Sequence, residues 1–168
     1  MVDFLSDGYG ESAGPDKTGR DQKKGIIVSD PFDLQRFVDA QAPVYRPVVE
    51  ELRRGRKASH WMWFVFPQIA GLGFSAMAQR FAIGSRAEAA AYLQHDVLGP
   101  RLIECTRLVV AASDRSITDI LGSPDDMKFR SCMTLFDAVS TQPIFNDAIE
   151  AFYPEGKDPA TLSILKTV

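Results

Sequence analysis

The sequence has few of the residues that build metal centres and disulfide frameworks. Its 168 residues include two cysteines, Cys105 and Cys132, and two histidines, His60 and His95. The cysteines lie within helix-like patterns and lack C-x-x-C spacing, so we interpret them as reduced, buried thiols. Two cysteines and two distant histidines cannot form a zinc cluster at any standard spacing. The sequence therefore predicts no metal site and no cofactor.

The sequence also lacks a net positive charge and long apolar segments. The net charge is −3, which provides no global basic field to recruit nucleic acid. No apolar run approaches the length of about 20 residues that crosses a bilayer. The N-terminus lacks the basic region and apolar core of a secretory signal. We therefore expect a cytoplasmic protein, monomeric or homodimeric, without a nucleic-acid or membrane partner.

The first 28 residues contain too little apolar surface to form a core. Residues 6–25 hold five glycines and many charges, and Tyr9 is their only aromatic residue. The free-energy cost of ordering such a segment exceeds the stabilisation that burial of its few apolar side chains can provide. We predict a disordered tail over residues 1–28 and a single helical domain over residues 29–168.

The remaining sequence shows helical periodicity and repeated helix-start signals. Asp30 followed by Pro31 predicts the start of the first helix. Ser75, Ser85 and Ser116 are predicted N-caps of later helices. The pattern predicts a mostly α fold with little or no sheet, as a compact single domain of about seven to nine short helices.

One segment is denser in large apolar residues than any other. Residues 61–66 are six consecutive large apolar residues and include both tryptophans, Trp61 and Trp63. Polar residues flank the segment, with His60 before it and Gln68 after it. Such a segment forms either a core element or the wall of a ligand pocket. We favour a core helix, because the surrounding sequence is helical, although short apolar runs do not by themselves distinguish helix from strand.

A lysine falls on the apolar face of the helix predicted over residues 123–140. At about 100° per residue, Asp126, Arg130 and Asp137 define the solvent face of this helix. Lys128 lies on the opposite face. A buried lysine is costly unless its charge is paired or neutralised.

Three placements of Lys128 are compatible with this position. The stem could extend past the core to water. The ammonium could hold a buried carboxylate such as Asp33. Alternatively, it could point with Ser131 and Thr134 into a polar pocket, ready for an anionic ligand.

Five blocks of the sequence resemble the domain-of-unknown-function family 1810. The blocks are residues 30–41, 57–68, 71–75, 91–102 and 128–136. The second, K-A-S-H-W-M-W-F-V-F-P-Q, is highly specific. The resemblance implies a mostly α fold and carries no assured activity. Some family members bear a calpastatin-like label, but calpastatins are long, repetitive and disordered.

A looser similarity connects the chain to NADAR-type helical domains. It rests on the aromatic segment and on the turn formed by Ile120, Leu121 and Gly122. This similarity implies chemistry on ADP-ribose or on N-glycosidic bonds.

The matching blocks gather cationic, amide and aromatic side chains. The predicted ligand-binding residues are Arg36, Gln41, Lys57, Trp61, Trp63, Gln68, His95, Ser131 and Thr134. The predicted catalytic residues are His60, as general acid or base, and Lys128. A pocket that pairs cations with aromatic walls suits an anionic, planar ligand such as a nucleotide derivative.

Functions of different classes fit this pattern. One is a hydrolase or transferase acting on a nucleotide or N-ribosyl compound, with Lys128 and the basic loop of residues 53–57 holding phosphate. The alternative is a non-catalytic interaction module, or a homodimer that buries Trp61 or Trp63 at its interface. If His60, Gln68 and Lys128 open onto one cavity, ligand binding is favoured, whereas an exposed tryptophan patch favours the dimer.

Overall fold

The described part of the protein, residues 29–168 of a computed structural model, is built almost entirely of short helices. The ten helices of this region are α1 (Gln35–Gln41), α2 (Tyr45–Arg53), α3 (Met62–Val65), α4 (Ala76–Arg80), α5 (Arg86–Gln94), α6 (Leu98–Ala111), α7 (Ile117–Leu121), α8 (Asp125–Asp137), α9 (Ile144–Phe152) and α10 (Pro159–Ile164). Within residues 29–168, β structure is limited to one parallel bridge between Ile69 and Ile83. The mostly α prediction is therefore confirmed, with slightly more helices than expected. The predicted tail, residues 1–28, lies outside the described residues.

Local hydrogen bonds explain why several helices begin where they do. Ser75, Ser85 and Ser116 each accept the backbone N–H of the residue three positions later at 3.1 Å. Asp158 caps α10 in the same way, through the N–H of Thr161 at 3.0 Å. These bonds satisfy N–H groups that have no partner within the helix. The three serine caps predicted from the sequence are thus confirmed.

The first helix begins later than predicted. Asp30 does act as a cap, because its carboxylate accepts the N–H groups of Leu34 at 2.8 Å and Gln35 at 2.9 Å. The intervening residues form a turn, in which Asp33 adopts a left-handed backbone with φ of 50°. A left-handed residue interrupts a right-handed helix. The predicted start at Asp30 and Pro31 is therefore wrong, and α1 begins at Gln35.

The core is one continuous cluster of buried side chains, with α8 near its centre. This helix packs against α5, α7, α9 and α10. Edge-to-face aromatic pairs tie the layers together, including Phe66 with Phe129 at 4.9 Å and Phe37 with Tyr92 at 5.1 Å between ring centroids. Cys105 and Cys132 are buried free thiols, as expected. The edge-to-face aromatic pairs add to the stabilisation gained from burying the rings.

The aromatic segment forms the single turn α3, which confirms the helical interpretation. Trp61, at 1% exposed, is buried, while Trp63 is only partly covered. The carbonyl of Phe64 accepts a hydrogen bond from the side chain of Gln41 at 2.7 Å, which fastens the turn to α1. The segment therefore places the indole of Trp61 in the core and that of Trp63 near the surface.

The predicted solvent face of α8 is wrong at one position. Arg130 is buried, because residues 153–158 fold back over this part of the helix. Its guanidinium donates to the carbonyls of Gly156 at 2.7 Å and Lys157 at 3.2 Å, and it pairs with Glu155 at 3.1 Å. The period of one helix could not reveal this segment, which arrives from a distant part of the sequence.

Candidate functional site

A cavity of about 430 Å³ opens beside the partly covered indole of Trp63. It lies between α3, the loop that follows α3, the first half of α8 and the start of α10. We call it the tryptophan–lysine cavity. Its lining includes Trp63, Gln68, Phe74, Met127, Lys128, Ser131 and Asp158.

Lys128 joins the indole of Trp63 to a carboxylate of its own helix. Its ammonium lies 5.0 Å from the centroid of the Trp63 ring and donates to Asp125 Oδ1 at 2.7 Å. The lysine side chain is 24% exposed. The sequence had suggested Asp33 as a buried counter-ion, but Asp33 is exposed and the carboxylate is that of Asp125, three residues earlier. Lys128 is thus both paired and part of the cavity lining.

A second lysine holds the same carboxylate. Lys57 Nζ lies 2.8 Å from Asp125 Oδ2 and 5.2 Å from the centroid of the Trp61 ring. Burial alone would raise the pKa of Asp125, but the hydrogen bonds and charges of Lys128 and Lys57 hold this pKa below its usual value. Asp125 therefore stays ionised between the two ammonium groups.

The lining of the cavity also contains a buried carboxylate, Asp158, that accepts several hydrogen bonds. Asp158 Oδ2 accepts from Ser131 Oγ at 3.0 Å, Thr161 Oγ1 at 2.6 Å and Thr161 N–H at 3.0 Å. The Asp158 N–H donates to Thr134 Oγ1 at 2.9 Å. Burial would raise the pKa of Asp158, yet these donors lower it below the usual value. The same cavity is therefore lined by a negatively charged side chain, Asp158, and a positively charged one, Lys128.

The comparisons with known proteins place the chain in a family. Residues 31–165 match the family described as protein of unknown function (DUF1810). The chain belongs to this family. It resembles the 1.38 Å crystal structure of a conserved hypothetical protein, Rv1873 from Mycobacterium tuberculosis. The match has 56% identity and a TM-score of 0.81, and it covers 83% of this chain and 100% of the other. No curated protein matches the chain.

In this DUF1810 protein, four of the predicted site residues lie together. Trp63, Gln68, Lys128 and Ser131 line the tryptophan–lysine cavity. Thr134 is buried beneath the wall and reaches it only through its bond with Asp158. Lys57 lies outside the cavity lining and is connected to it through Asp125.

Two other predicted ligand-binding residues of the DUF1810 protein fasten one part of the fold to another. Arg36 pairs with Glu88 at 2.7 Å and also donates to four backbone carbonyls. Gln41 is buried, and besides its bond to α3 it donates to Tyr92 Oη at 3.1 Å and accepts from Arg101 at 3.3 Å. Neither residue lines the tryptophan–lysine cavity.

The two histidines and Trp61 also lie away from this cavity. His60 is exposed and does not line it. His95 Nδ1 accepts the N–H groups of Val97 at 3.1 Å and Leu98 at 3.3 Å, and the residue borders a separate cavity of about 270 Å³. The buried Trp61 indole donates to Glu51 at 2.8 Å, and Trp61 does not line the cavity. The tryptophans therefore do not form one exposed patch.

Two lining residues of the DUF1810 protein were missed by sequence reasoning. Phe74 is 84% exposed at the mouth of the cavity, and Asp158 is a buried part of its lining. The Asp-Pro pair at residues 158–159 signalled a helix start, but nothing in the sequence showed that α10 begins beside α8. Within residues 29–168, no three His, Cys, Asp or Glu side chains are grouped to hold a metal ion. None of the helices there is long and apolar enough to cross a membrane.

Proposed function

We propose that the tryptophan–lysine cavity binds an anionic, planar small molecule of the nucleotide class. The observation that carries this proposal is the position of Lys128, whose ammonium lies 5.0 Å from the Trp63 ring on a cavity of about 430 Å³. Protein pockets for small molecules span a similar range, about 300–1,000 Å³. An indole face and an ammonium group are complementary to a base and to a phosphate.

Lys128 can turn to a ligand without stranding its present partner. Asp125 is held by Lys57 as well as by Lys128, at 2.8 and 2.7 Å. When Lys128 moves toward a phosphate, Asp125 keeps one short ion pair. A lysine that was the sole partner of a buried carboxylate would lack this freedom, because its departure would leave that carboxylate unpaired, which is costly.

The other lining residues fit the rest of such a ligand. Phe74, 84% exposed, provides an apolar ring at the cavity mouth that a planar group would cover. Base–aromatic stacking contributes about 1–3 kcal/mol. Ser131 and Asp158 provide a hydroxyl and a carboxylate oxygen for ribose hydroxyl groups, and Gln68 an amide.

Hydrolysis of an N-ribosyl bond is the catalytic form of the same proposal. Of the described lining residues, Asp158 is the carboxylate, and its lowered pKa keeps it ionised at neutral pH. An ionised carboxylate can stabilise the positive charge that a ribosyl group develops as its bond breaks. His60 does not line the cavity and has no part in the hydrolysis proposed here.

A protein-binding role is the second candidate. Phe74 and Met127 are both exposed large apolar residues on the rim of the cavity. Exposed apolar side chains that cluster beside a pocket are typical of interaction sites.

The test is a thermal-shift and calorimetric titration with adenosine monophosphate, ADP-ribose and adenosine. We expect the two phosphate-bearing compounds to raise Tm. Lys128→Met should weaken their binding at least about tenfold, because a charge-assisted hydrogen bond is worth about 1.5–3 kcal/mol. Binding of adenosine should not change. Phe74→Ala should weaken all three compounds without loss of stability, since Phe74 is exposed.

Lys157→Met is the matched control, because Lys157 pairs with Asp137 outside the cavity lining. Its nucleotide affinity should equal that of the wild type. Absence of any shift, or equal affinity in Lys128→Met, would refute the nucleotide proposal and leave the protein-binding role. Chromatography of the titrated samples tests hydrolysis. If the protein hydrolyses the bond, the wild type releases the free base, whereas Asp158→Asn protein that still binds nucleotide does not.

A further inference from the structure

A second charged region lies on another side of Lys57, where two loops meet. The loop after α2 is fixed to the loop before α7 by Arg115, whose Nη1 donates to the carbonyl of Gly55 at 2.9 Å. The Lys57 N–H donates to the carbonyl of Ile120 at 2.7 Å. Gly55 has a φ of 64°, and an added Cβ would lie 3.1 Å from Arg115 Nη1. Glycine therefore permits both the turn and the close approach.

Two adjoining cavities, of about 640 and 460 Å³, follow this junction. They share Arg56, Lys57 and Arg115, and Arg54 lines the larger one. We call the joined surface the basic groove. Trp63 and Lys128 do not line it, so it is separate from the tryptophan–lysine cavity.

The arginines of the basic groove lack acidic partners among residues 29–168. Arg54, Arg56 and Arg115 are exposed, and no carboxylate of the described chain forms an ion pair with any of them. Lys57 differs, because its ammonium is held by Asp125. Like charges that converge without counter-ions repel each other and attract anions from solution.

The two acidic residues of the groove each accept hydrogen bonds from groups other than its arginines. Glu51 accepts from the N–H groups of Ala58 and Ser59, from Ser59 Oγ and from the Trp61 indole, at 2.5 to 3.2 Å. Asp119 Oδ2 accepts from Ser116 Oγ at 2.7 Å. Their hydrogen bonds come from groups other than the three guanidinium groups, so the charges of these guanidinium groups remain available to an external anion.

We propose that the basic groove binds the polyphosphate part of a small molecule. Arginine presents a planar fork of donors that matches phosphate oxygens, and several forks around one groove suit a chain of phosphates better than a single one. A nucleic-acid track uses about 6–10 phosphate contacts. Three unpaired arginines in a chain of net charge −3 fit a compact anion instead.

The experiment is calorimetry of the full chain with inorganic triphosphate and inorganic phosphate, at about 50 and 200 mM salt. We expect triphosphate to bind more tightly than phosphate and its affinity to fall with salt. The double variant Arg54→Gln/Arg56→Gln leaves the Arg115 and Lys57 anchors in place. It should weaken triphosphate binding by at least about tenfold, since the charge-assisted bonds of two arginines are lost.

Two controls separate this site from the nucleotide cavity. Arg46→Gln removes an exposed arginine of α2 outside the groove and should bind triphosphate like the wild type. Lys128→Met should also leave triphosphate binding unchanged. Equal losses in Arg46→Gln and in the double variant, or equal affinity for phosphate and triphosphate, would overturn the proposal. So would a single-stranded RNA that binds through Arg54 and Arg56 more tightly than triphosphate does.

Discussion

Removal of the Lys128 charge tests the most unusual feature of the site, a carboxylate shared by two lysines. Asp125 lies 2.7 Å from Lys128 Nζ and 2.8 Å from Lys57 Nζ, and its side chain is 15% exposed. Methionine keeps the length of the lysine stem and removes its charge. In Lys128→Met, Asp125 therefore loses one partner and keeps the other.

The expected cost of Lys128→Met is small. The substitution removes an ion pair and a cation–π contact, the latter worth about 0.5–1 kcal/mol at exposed sites. It also removes the cost of desolvating a lysine that is 24% exposed. We expect the free energy of unfolding to fall by about 1 kcal/mol or less. Removal of the sole partner of a buried carboxylate would instead cost about 3–5 kcal/mol.

The double variant Lys57→Met/Lys128→Met should show the difference. It strands Asp125 with neither ammonium, and because the carboxylate retains some solvent contact we expect a loss of about 2–4 kcal/mol. That loss should exceed the sum of the two single variants, which is the signature of a shared partner. The excess should shrink as the pH falls, because a stranded buried carboxylate takes up a proton.

The assay is urea denaturation of the wild type, the two single variants and the double variant at neutral pH. Lys157→Met is the control, since Lys157 forms a separate and more exposed ion pair with Asp137. Its effect should be at most about 1 kcal/mol. A loss of about 3 kcal/mol or more in Lys128→Met alone, or single losses that simply add to give the double, would show that the two lysines do not share Asp125 in this way.

Two further predictions concern acid stability and close packing. The folded-state pKa values of Glu51, Asp125 and Asp158 lie below the ordinary values of 4.5 and 3.8. Their stabilising contribution is therefore complete above those ordinary values and is lost as the pH falls through the lower folded values. Denaturation curves between neutral and strongly acidic pH should show this loss, and a flat profile would contradict it. Gly99→Ala places a Cβ 2.0 Å from the Leu93 carbonyl and should cost at least about 2 kcal/mol. In the control, Gly84→Ala, the new Cβ meets only a side-chain oxygen at 3.2 Å, so a cost in urea denaturation equal to that of Gly99→Ala would contradict the packing argument.

Features of the fold set by neighbouring residues could be predicted from the sequence. The serine caps at Ser75, Ser85 and Ser116 depend on backbone groups three residues away, and each was confirmed. The burial of Arg130 could not be predicted in this way, because it depends on the segment of residues 153–158. Helical periodicity reports only the faces of one helix and not what later covers them.

The candidate site divides along the same line. Asp125 lies three residues before Lys128, a spacing that brings helical side chains together, so this partner was readable from the sequence. The contribution of Lys57 was not, because it is far away along the chain. Asp158 and Phe74 join the cavity only after α10 and the loop before α4 reach α8. A site built from segments that are distant along the chain can be recognised only when the three-dimensional structure brings them together.

The positions of the two tryptophans divide the intrinsic fluorescence of the protein into two contributions from different environments. The two indoles lie only two residues apart, with Trp61 at the start of α3 and Trp63 within it. Trp61 is 1% exposed and reports on the core, whereas Trp63 borders the tryptophan–lysine cavity. Each indole also has its own lysine nearby, Lys57 at 5.2 Å and Lys128 at 5.0 Å from the ring centroids. Trp63→Phe would leave a pure core spectrum, and subtracting it from that of the wild type would isolate the signal of the cavity wall.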